Sequence, residues 1–123
     1  MKLIFFDIFV PYIHIIRINN WIKNLLVFLP VLSSHNFSSY SILYTLFIFI
    51  MLSVSVSSMY IINDYFDYEK DLLNNSKKKR PIASGKISKK NALIFFLFLQ
   101  LFIIIILAFS NNLKLLLFLL AYN

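Results

Sequence analysis

The chain has 123 residues, of which 60% are hydrophobic and 14% charged, with one glycine and no cysteine. Globular proteins are roughly 45–50% apolar, so this composition is typical of a membrane protein, and the length supplies one compact unit. The lack of cysteine excludes disulfides and thiolate metal sites. The net charge of +7 does not indicate a nucleic-acid partner. Its cations flank apolar segments and form no basic groove interleaved with aromatic residues.

The gaps between charged residues predict where the chain crosses the membrane. Residues 3–18 are expected to lie in the interface or to open the first span, because polar residues interrupt them. A first helix is predicted at 20–34 and a second span at 42–62, which would be about 31 Å long. The third predicted span, residues 92–109, would reach about 27 Å by the same rise. We therefore expect an all-α transmembrane helical bundle.

A further apolar run starts at residue 113 and continues for only about ten residues, which is too short to cross a bilayer. We therefore expect an incomplete fourth span and interpret residues 1–123 as one truncated domain, the N-terminal part of a longer or split protein. Seven of the 12 Lys and Arg residues lie between Lys77 and Lys90, whereas residues 33–41 have none. This bias predicts that the segment from Asp64 to Lys90, which we call the connector, is cytoplasmic.

The connector begins within an acidic segment, NDYFDYEKD, at residues 63–71. If the preceding helix continues through it, the side chains of four residues fall within about 100° of one another: Asn63, Asp64, Asp67 and Asp71. Like charges at this spacing repel unless a cation neutralises them, and Mg²⁺ binds such carboxylates while keeping positions for phosphate oxygens. The spacing favours a magnesium-diphosphate site. A solvated helix end neutralised by Lys70 and a proton or ion relay remain as alternatives.

The basic run KKKRP, residues 77–81, also has two interpretations. It is typical of a membrane anchor that meets anionic lipid headgroups. Its position shortly after Asp71 favours a second role, because a short loop would fold Lys79 and Arg80 back over the carboxylate face. There Arg80 would bind phosphate with its planar fork, and a lysine would act as a mobile point charge. Ser88 is the predicted N-cap of the next helix.

Three segments, in order, resemble one family. RINNWIKNLLVFLP at 17–30, NDYFDYEKD at 63–71 and KKRPIASGKIS at 78–88 are similar to the first-helix signature, the first aspartate-rich motif and the following loop of the UbiA superfamily of intramembrane prenyltransferases. The branch that contains decaprenyl-phosphate phosphoribosyltransferase is the most similar. The resemblance implies that the chain is the N-terminal part of a multi-helix bundle around a central cavity.

The resemblance also implies a reaction and its residues. A Mg²⁺-dependent transferase in the cell or inner membrane would act on a polyprenyl diphosphate or polyprenyl phosphate, surrounded by membrane lipid. The alternatives are phosphoribosyl transfer to a polyprenyl phosphate and a noncatalytic membrane remnant. The implied residues divide into metal ligands (Asn63, Asp67, Asp71), catalytic carboxylates (Asp64, Asp67, Asp71) and a phosphate pocket (Lys23, Asn24, Lys79, Arg80).

The family has a second aspartate-rich motif several helices later. This chain has no acidic residue after Asp71. We therefore expect a C-terminal half, or another chain, to supply the second carboxylate cluster, and we expect no transferase turnover from residues 1–123 alone.

Overall fold

The computed structural model describes residues 2–35, 37–110 and 113–122. The regular structure of these ranges is helical, without a strand, which confirms the predicted all-α class. Two of the helical segments are of the 3₁₀ type, at Ile18–Phe28 and Lys77–Lys79. The α-helices in chain order are α1 (Lys2–Ile15), α2 (Leu29–Ser33), α3 (Ser39–Phe66), α4 (Tyr68–Leu73), α5 (Lys89–Phe109) and α6 (Leu113–Tyr122).

Helices α3 and α5 are long and apolar enough to cross a membrane, with mean hydropathy of 2.1 and 3.1 in their most apolar windows. The spans predicted at 42–62 and 92–109 lie within them. The predicted N-cap of α5 is confirmed, because the Ser88 hydroxyl accepts a hydrogen bond from the Asn91 backbone amide at 3.2 Å. The two helices pack together, and Gln100 of α5 donates to the Ser58 hydroxyl of α3 at 2.9 Å.

The helix predicted at 20–34 consists of two parts, the long 3₁₀ segment and then α2. It meets α1 at a bend of 47°, and the bent pair is apolar enough to count as a third candidate span. The bend lies at Arg17, whose φ of 50° and ψ of 51° are left-handed. A side chain larger than glycine makes this conformation unfavourable by roughly 1–2 kcal/mol, so other contacts must stabilise the bend.

Contacts with α3 explain the unusual length of the 3₁₀ segment. Side chains three residues apart eclipse on a 3₁₀ helix, so Trp21 and Asn24 share one edge. They donate to the hydroxyls of Ser57 and Ser53, each at 3.0 Å. Three residues of 3₁₀ helix and four residues of α-helix both rise about 6 Å, so the two rows match. Ser57 also donates to the Ile16 carbonyl at 2.8 Å, next to the bend.

Two buried apolar clusters hold the helices together. One lies where α1, α3 and α5 meet the connector and contains Ile15, Ile61, Ile82, Ile87 and Ala92. The other joins the middle of α3 to the ends of α5 and α6 and contains Met51, Ile103, Leu107, Leu115 and Leu119. The first cluster matters for the site, because it buries two isoleucines of the connector. Each such burial stabilises the fold by about 1.5–3 kcal/mol, so the connector has a fixed position.

Candidate functional site

The acidic segment stays in helical register although α3 ends at Phe66. Asp67 has φ −82° and ψ 4° and separates α3 from α4. Its backbone amide donates to the Asn63 carbonyl at 2.9 Å, and the Asp71 amide donates to the Asp67 carbonyl at 2.9 Å. Asn63, Asp67 and Asp71 therefore follow one another at one-turn intervals, which is the arrangement that places side chains on one face.

Two of the aspartates are buried and paired with arginine. Asp64 accepts from Arg17 Nη2 at 2.6 Å and from Arg80 Nη1 at 3.0 Å through the same oxygen, Oδ1. Arg80 Nη1 also donates to Asp71 Oδ2 at 2.8 Å. The Arg17 guanidinium lies 4.5 Å from the centre of the Tyr60 ring. Two carboxylates and two guanidinium groups thus form a charge-balanced network, as buried ions require.

The connector folds back as the spacing predicts, since Arg80 reaches both carboxylates. This depends on the packing of the residues that follow it. Ile82 and Ile87 are each 2% exposed and belong to the first apolar cluster. Gly85 has φ 74°, a left-handed turn that glycine adopts at little cost. The Ile87 amide donates to the Pro81 carbonyl at 3.0 Å and closes the loop behind the arginine.

One carboxylate oxygen lacks a partner. Asp71 is 1% exposed. Its Oδ2 binds Arg80, but Oδ1 is the one buried side-chain nitrogen or oxygen atom without a hydrogen-bond partner within the described ranges. Leaving such an atom unsatisfied is unfavourable by about 1–3 kcal/mol. A cation or donor group at Oδ1 would remove that penalty, so Asp71 has the character of a ligand as well as of a structural anion.

The acidic-segment side chains outside the arginine network are accessible. The Asp67 side chain is 43% exposed, and its only ion-pair contact in the described part of the chain is with Lys70 at 3.4 Å. Asn63 and Glu69 are exposed as well. A hard cation fits this donor set, with Asp67 and Asp71 supplying carboxylate oxygens, Asn63 an amide oxygen, and water or substrate the remaining ligands. No group of three or more His, Asp or Glu side chains converges as a ready-made metal site in the described residues.

The remaining predicted phosphate residues do not bond to the carboxylates in the part of the chain that the structure describes. Lys23 and Lys79 are exposed, and Asn24 donates to Ser53 between the 3₁₀ segment and α3. No hydrogen bond or ion pair found among the described residues joins any of these three to the aspartates. Arg80 is therefore the member of the predicted phosphate set that the fold brings to the acidic segment.

Arg17 is the site residue that sequence reasoning placed only within a family signature. It and Arg80 are the two arginines of the chain. The presence of just two arginines could have indicated that Arg17 belongs to the site, because arginine is the side chain suited to bind a shared, buried carboxylate. Arg17 also lines a cavity of about 530 Å³ beside the bend. The other residues around that cavity are Ile13, His14, Ile18, Asn19 and Asn20.

Residues 25–122 match the model of the UbiA prenyltransferase family. The chain belongs to this family. It is similar to digeranylgeranylglyceryl phosphate synthase of Methanosphaera stadtmanae, with 40% identity over 105 residues, which are 85% of this chain and 36% of that protein. It is also similar to 4-hydroxybenzoate octaprenyltransferase of Shewanella pealeana, with 37% identity over 95 residues, 74% of this chain and 33% of that protein.

A shorter and more similar stretch occurs in digeranylgeranylglyceryl phosphate synthase of Methanococcoides burtonii, with 63% identity over 38 residues, 31% of this chain and 13% of that protein. This chain thus spans about a third or less of the length of these relatives. No solved structure matches it significantly. The family expected from the three sequence segments is confirmed, and the phosphoribosyl branch stays a prediction.

Proposed function

We propose that this chain carries the first carboxylate cluster of a Mg²⁺-dependent intramembrane prenyltransferase and holds the diphosphate of a polyprenyl donor. Membership of the UbiA family supports this proposal, as do the relatives whose names specify prenyl transfer. The observation that carries it is the state of Asp71, which is buried, held by Arg80 through one oxygen and unpartnered at the other. A carboxylate in that state suits a bound cation next to a phosphate-binding arginine.

In this proposal each residue has a distinct task. Asp67 and Asp71, with Asn63, would hold Mg²⁺, and the ion would supply electrostatic stabilisation of a diphosphate leaving group. Arg80 binds diphosphate oxygens with N–H groups that do not contact the aspartates. Asp64 is a positioning residue, because one of its oxygens binds both arginines at once and holds them next to each other.

Lys23, Asn24 and Lys79 have a more distant role in the proposal. Lys79 directly precedes Arg80 in the connector, and its exposed ammonium group would act as a mobile counter-charge near the diphosphate. Lys23 and Asn24 lie on the 3₁₀ segment, where the Asn24 side chain donates a hydrogen bond to Ser53. We expect Lys23 to contribute long-range attraction and Asn24 to maintain the packing of this segment.

We further propose that a second carboxylate cluster, from a C-terminal half or another chain, completes the clamp. The sequence carries no acidic residue after Asp71, so the described cluster offers carboxylates from one side. Carboxylate-bound Mg²⁺ on one side of the diphosphate, with water on the other side, would stabilise the leaving group only weakly, because water screens the interaction. Residues 1–123 should therefore bind a diphosphate with Mg²⁺ but show no transferase turnover by themselves.

The test is a thermal-unfolding titration of the chain in lipid nanodiscs, with Mg²⁺ and geranylgeranyl thiodiphosphate as an unreactive donor. Saturation at about 100 times the dissociation constant should stabilise the chain by about 2.7 kcal/mol. Asp67→Asn and Asp71→Asn should each abolish this gain. Glu69→Gln is the matched control, because it removes one exposed negative charge from the same segment and should keep the gain.

Equal losses for all three variants would mean that bulk negative charge, and no directed site, attracts the metal. Stabilisation of the wild-type chain by Mg²⁺ with phosphoribosyl diphosphate but not with the prenyl thiodiphosphate would support the phosphoribosyl alternative. No stabilisation of the wild-type chain by either ligand pair would refute the binding role and leave a noncatalytic membrane protein.

We also propose that the connector between α3 and α5 faces the cytoplasm, on the basis of its positive charge. The chain has no cysteine, so single cysteines at Ser76 and Ser39 report cleanly. An impermeant thiol reagent applied to intact cells should label Ser39→Cys and leave Ser76→Cys unlabelled until the cells are opened. The reverse pattern would invert the topology.

A further inference from the structure

The basic run of the connector divides into two structurally different parts. Arg80 is 25% exposed and is bound to Asp64 and Asp71. The three preceding lysines form the short 3₁₀ turn Lys77–Lys79, and all three are exposed. Between Leu72 and Lys90 the chain contains seven cations and no acidic residue. The lysine turn therefore carries a positive charge that no acidic residue between positions 72 and 90 neutralises.

Exposed apolar side chains lie just before this turn. Leu73 is 89% exposed, Leu72 is 45% exposed and Phe66 is 75% exposed. Leu72 and Leu73 end α4 and come only a few residues before Lys77. Large apolar side chains next to lysines are the combination found in segments that lie at a membrane interface, where the apolar groups enter the acyl boundary and the cations meet headgroups.

The turn is held near the ends of the two candidate spans. The amides of Lys77 and Lys78 donate to the Asn74 carbonyl at 3.1 and 2.9 Å, and the Asn74 side chain accepts from the Ser76 amide at 3.0 Å. On its other side, the turn is followed directly by Arg80, which the aspartates hold. The backbone of the turn is therefore held between α4 and the anchored Arg80, while its three lysine side chains are exposed.

We propose that Leu73 and the lysine turn Lys77–Lys79 form a docking surface for anionic lipid headgroups. The lysine ammonium groups are compact point charges that contact phosphate without a fixed geometry, and their aliphatic stems extend along an apolar boundary. Charge complementarity favours an anionic over a zwitterionic headgroup, by roughly fivefold for each lysine close to the surface. Lys79 is the one residue that this surface shares with the proposed diphosphate site, where its role is a distant counter-charge. Lipid docking does not depend on transferase activity.

The test uses the full chain with Ser76→Cys, labelled with bimane, in phosphatidylcholine nanodiscs. A small fraction of phosphatidylglycerol or phosphatidylcholine carries a nitroxide near the headgroup as quencher. We expect the anionic quencher to associate at least about fivefold more strongly than the zwitterionic one, the factor for a single lysine. Raising the salt concentration to about 1 M should largely remove this preference, since the screening length falls to about 3 Å.

Two double variants separate the lysine turn from the overall charge of the connector. Lys77→Gln/Lys79→Gln should reduce the preference for the anionic quencher to less than a quarter. Lys86→Gln/Lys90→Gln removes the same charge from exposed positions of the same connector and should retain most of it. Leu73→Ser should weaken quenching by both lipids.

Equal quenching of the wild-type chain by the two lipids would overturn the proposal. So would an equal loss in both double variants, because the whole connector would then act as a diffuse charge. Thermal unfolding measured beside the quenching identifies a variant whose fold has changed. For such a variant, the single substitutions Lys77→Gln and Lys79→Gln replace the double one, each with an expected loss of at least twofold.

Discussion

Asp67 and Asp71 lie one helical turn apart, yet their surroundings differ. Asp71 is buried and ion-paired with Arg80 at 2.8 Å, whereas Asp67 is 43% exposed with Lys70 at 3.4 Å. The acidic segment alone does not produce this difference, since both residues lie on the same helical face. It arises because the connector folds back over one of them. A position along a helix thus predicts which side chains can act together, and the chain that returns over it determines which are buried.

The burial of Asp71 makes it dependent on Arg80. Removing one partner of a buried ion pair leaves the other charge uncompensated and is strongly destabilising. Asp64 depends less on Arg80 than Asp71 does, because Arg17 would remain bound to Asp64 at 2.6 Å. Asp67 needs no partner, since water solvates it. The following substitutions test this order of dependence, from the largest expected effect to the smallest.

Arg80→Ala should produce the largest loss. It removes the only ion-pair partner that Asp71 has among the described residues and one of two partners of Asp64. We expect the free energy of unfolding to fall by about 3 kcal/mol, the lower end for breaking a buried pair, because the Arg80 side chain is 25% exposed and water can enter the space that it leaves. The measurement is equilibrium unfolding of the chain in detergent. Lys79→Ala, which removes an exposed neighbouring cation, should change the value by less than about 0.5 kcal/mol.

A double-mutant cycle sharpens this result. In the Arg80→Ala background, Asp71→Asn should recover part of the loss, because it removes the uncompensated buried charge. If Arg80→Ala costs the same with aspartate and with asparagine at position 71, the pair is not coupled, and Arg80 stabilises the connector through packing alone.

Ser57→Ala should have an intermediate effect on the other arginine of the network. Ser57 accepts from Trp21 and donates to the Ile16 carbonyl, next to the left-handed Arg17. Its loss removes the partner of two part-buried groups, the Trp21 indole N–H and the Ile16 carbonyl, and we expect a decrease of about 1–2 kcal/mol in unfolding free energy. Ser33→Ala, which removes a hydroxyl that donates to the Pro30 carbonyl in its own helix turn, is the control. A decrease no larger than that of the control would show that the bend does not depend on α3.

Sequence reasoning reached the helical class, the acidic face and the return of Arg80, because each follows from local rules of hydropathy, helical spacing and loop length. It did not reach the left-handed bend at Arg17 or the convergence of Arg17 and Arg80 on Asp64. Both depend on contacts between residues far apart in the chain, such as Arg17 with Asp64. Nor could spacing show that Asn24, expected near phosphate, is used to pair the 3₁₀ segment with Ser53.

Asp67→Asn should have the smallest effect on stability and is for that reason the most informative variant of the site. Its carboxylate is partly exposed, and exposed ion pairs such as that with Lys70 contribute little. We expect a change in unfolding free energy below about 0.5 kcal/mol, measured in the same unfolding assay. A loss of Mg²⁺-dependent stabilisation in this variant would then reflect a missing ligand, because the fold is unaffected. Asp71→Asn cannot separate the two causes so cleanly, since that residue also pairs with Arg80. A destabilisation by Asp67→Asn as large as that of Arg80→Ala would show that Asp67 has buried partners of its own, and the contrast between the two aspartates would be lost.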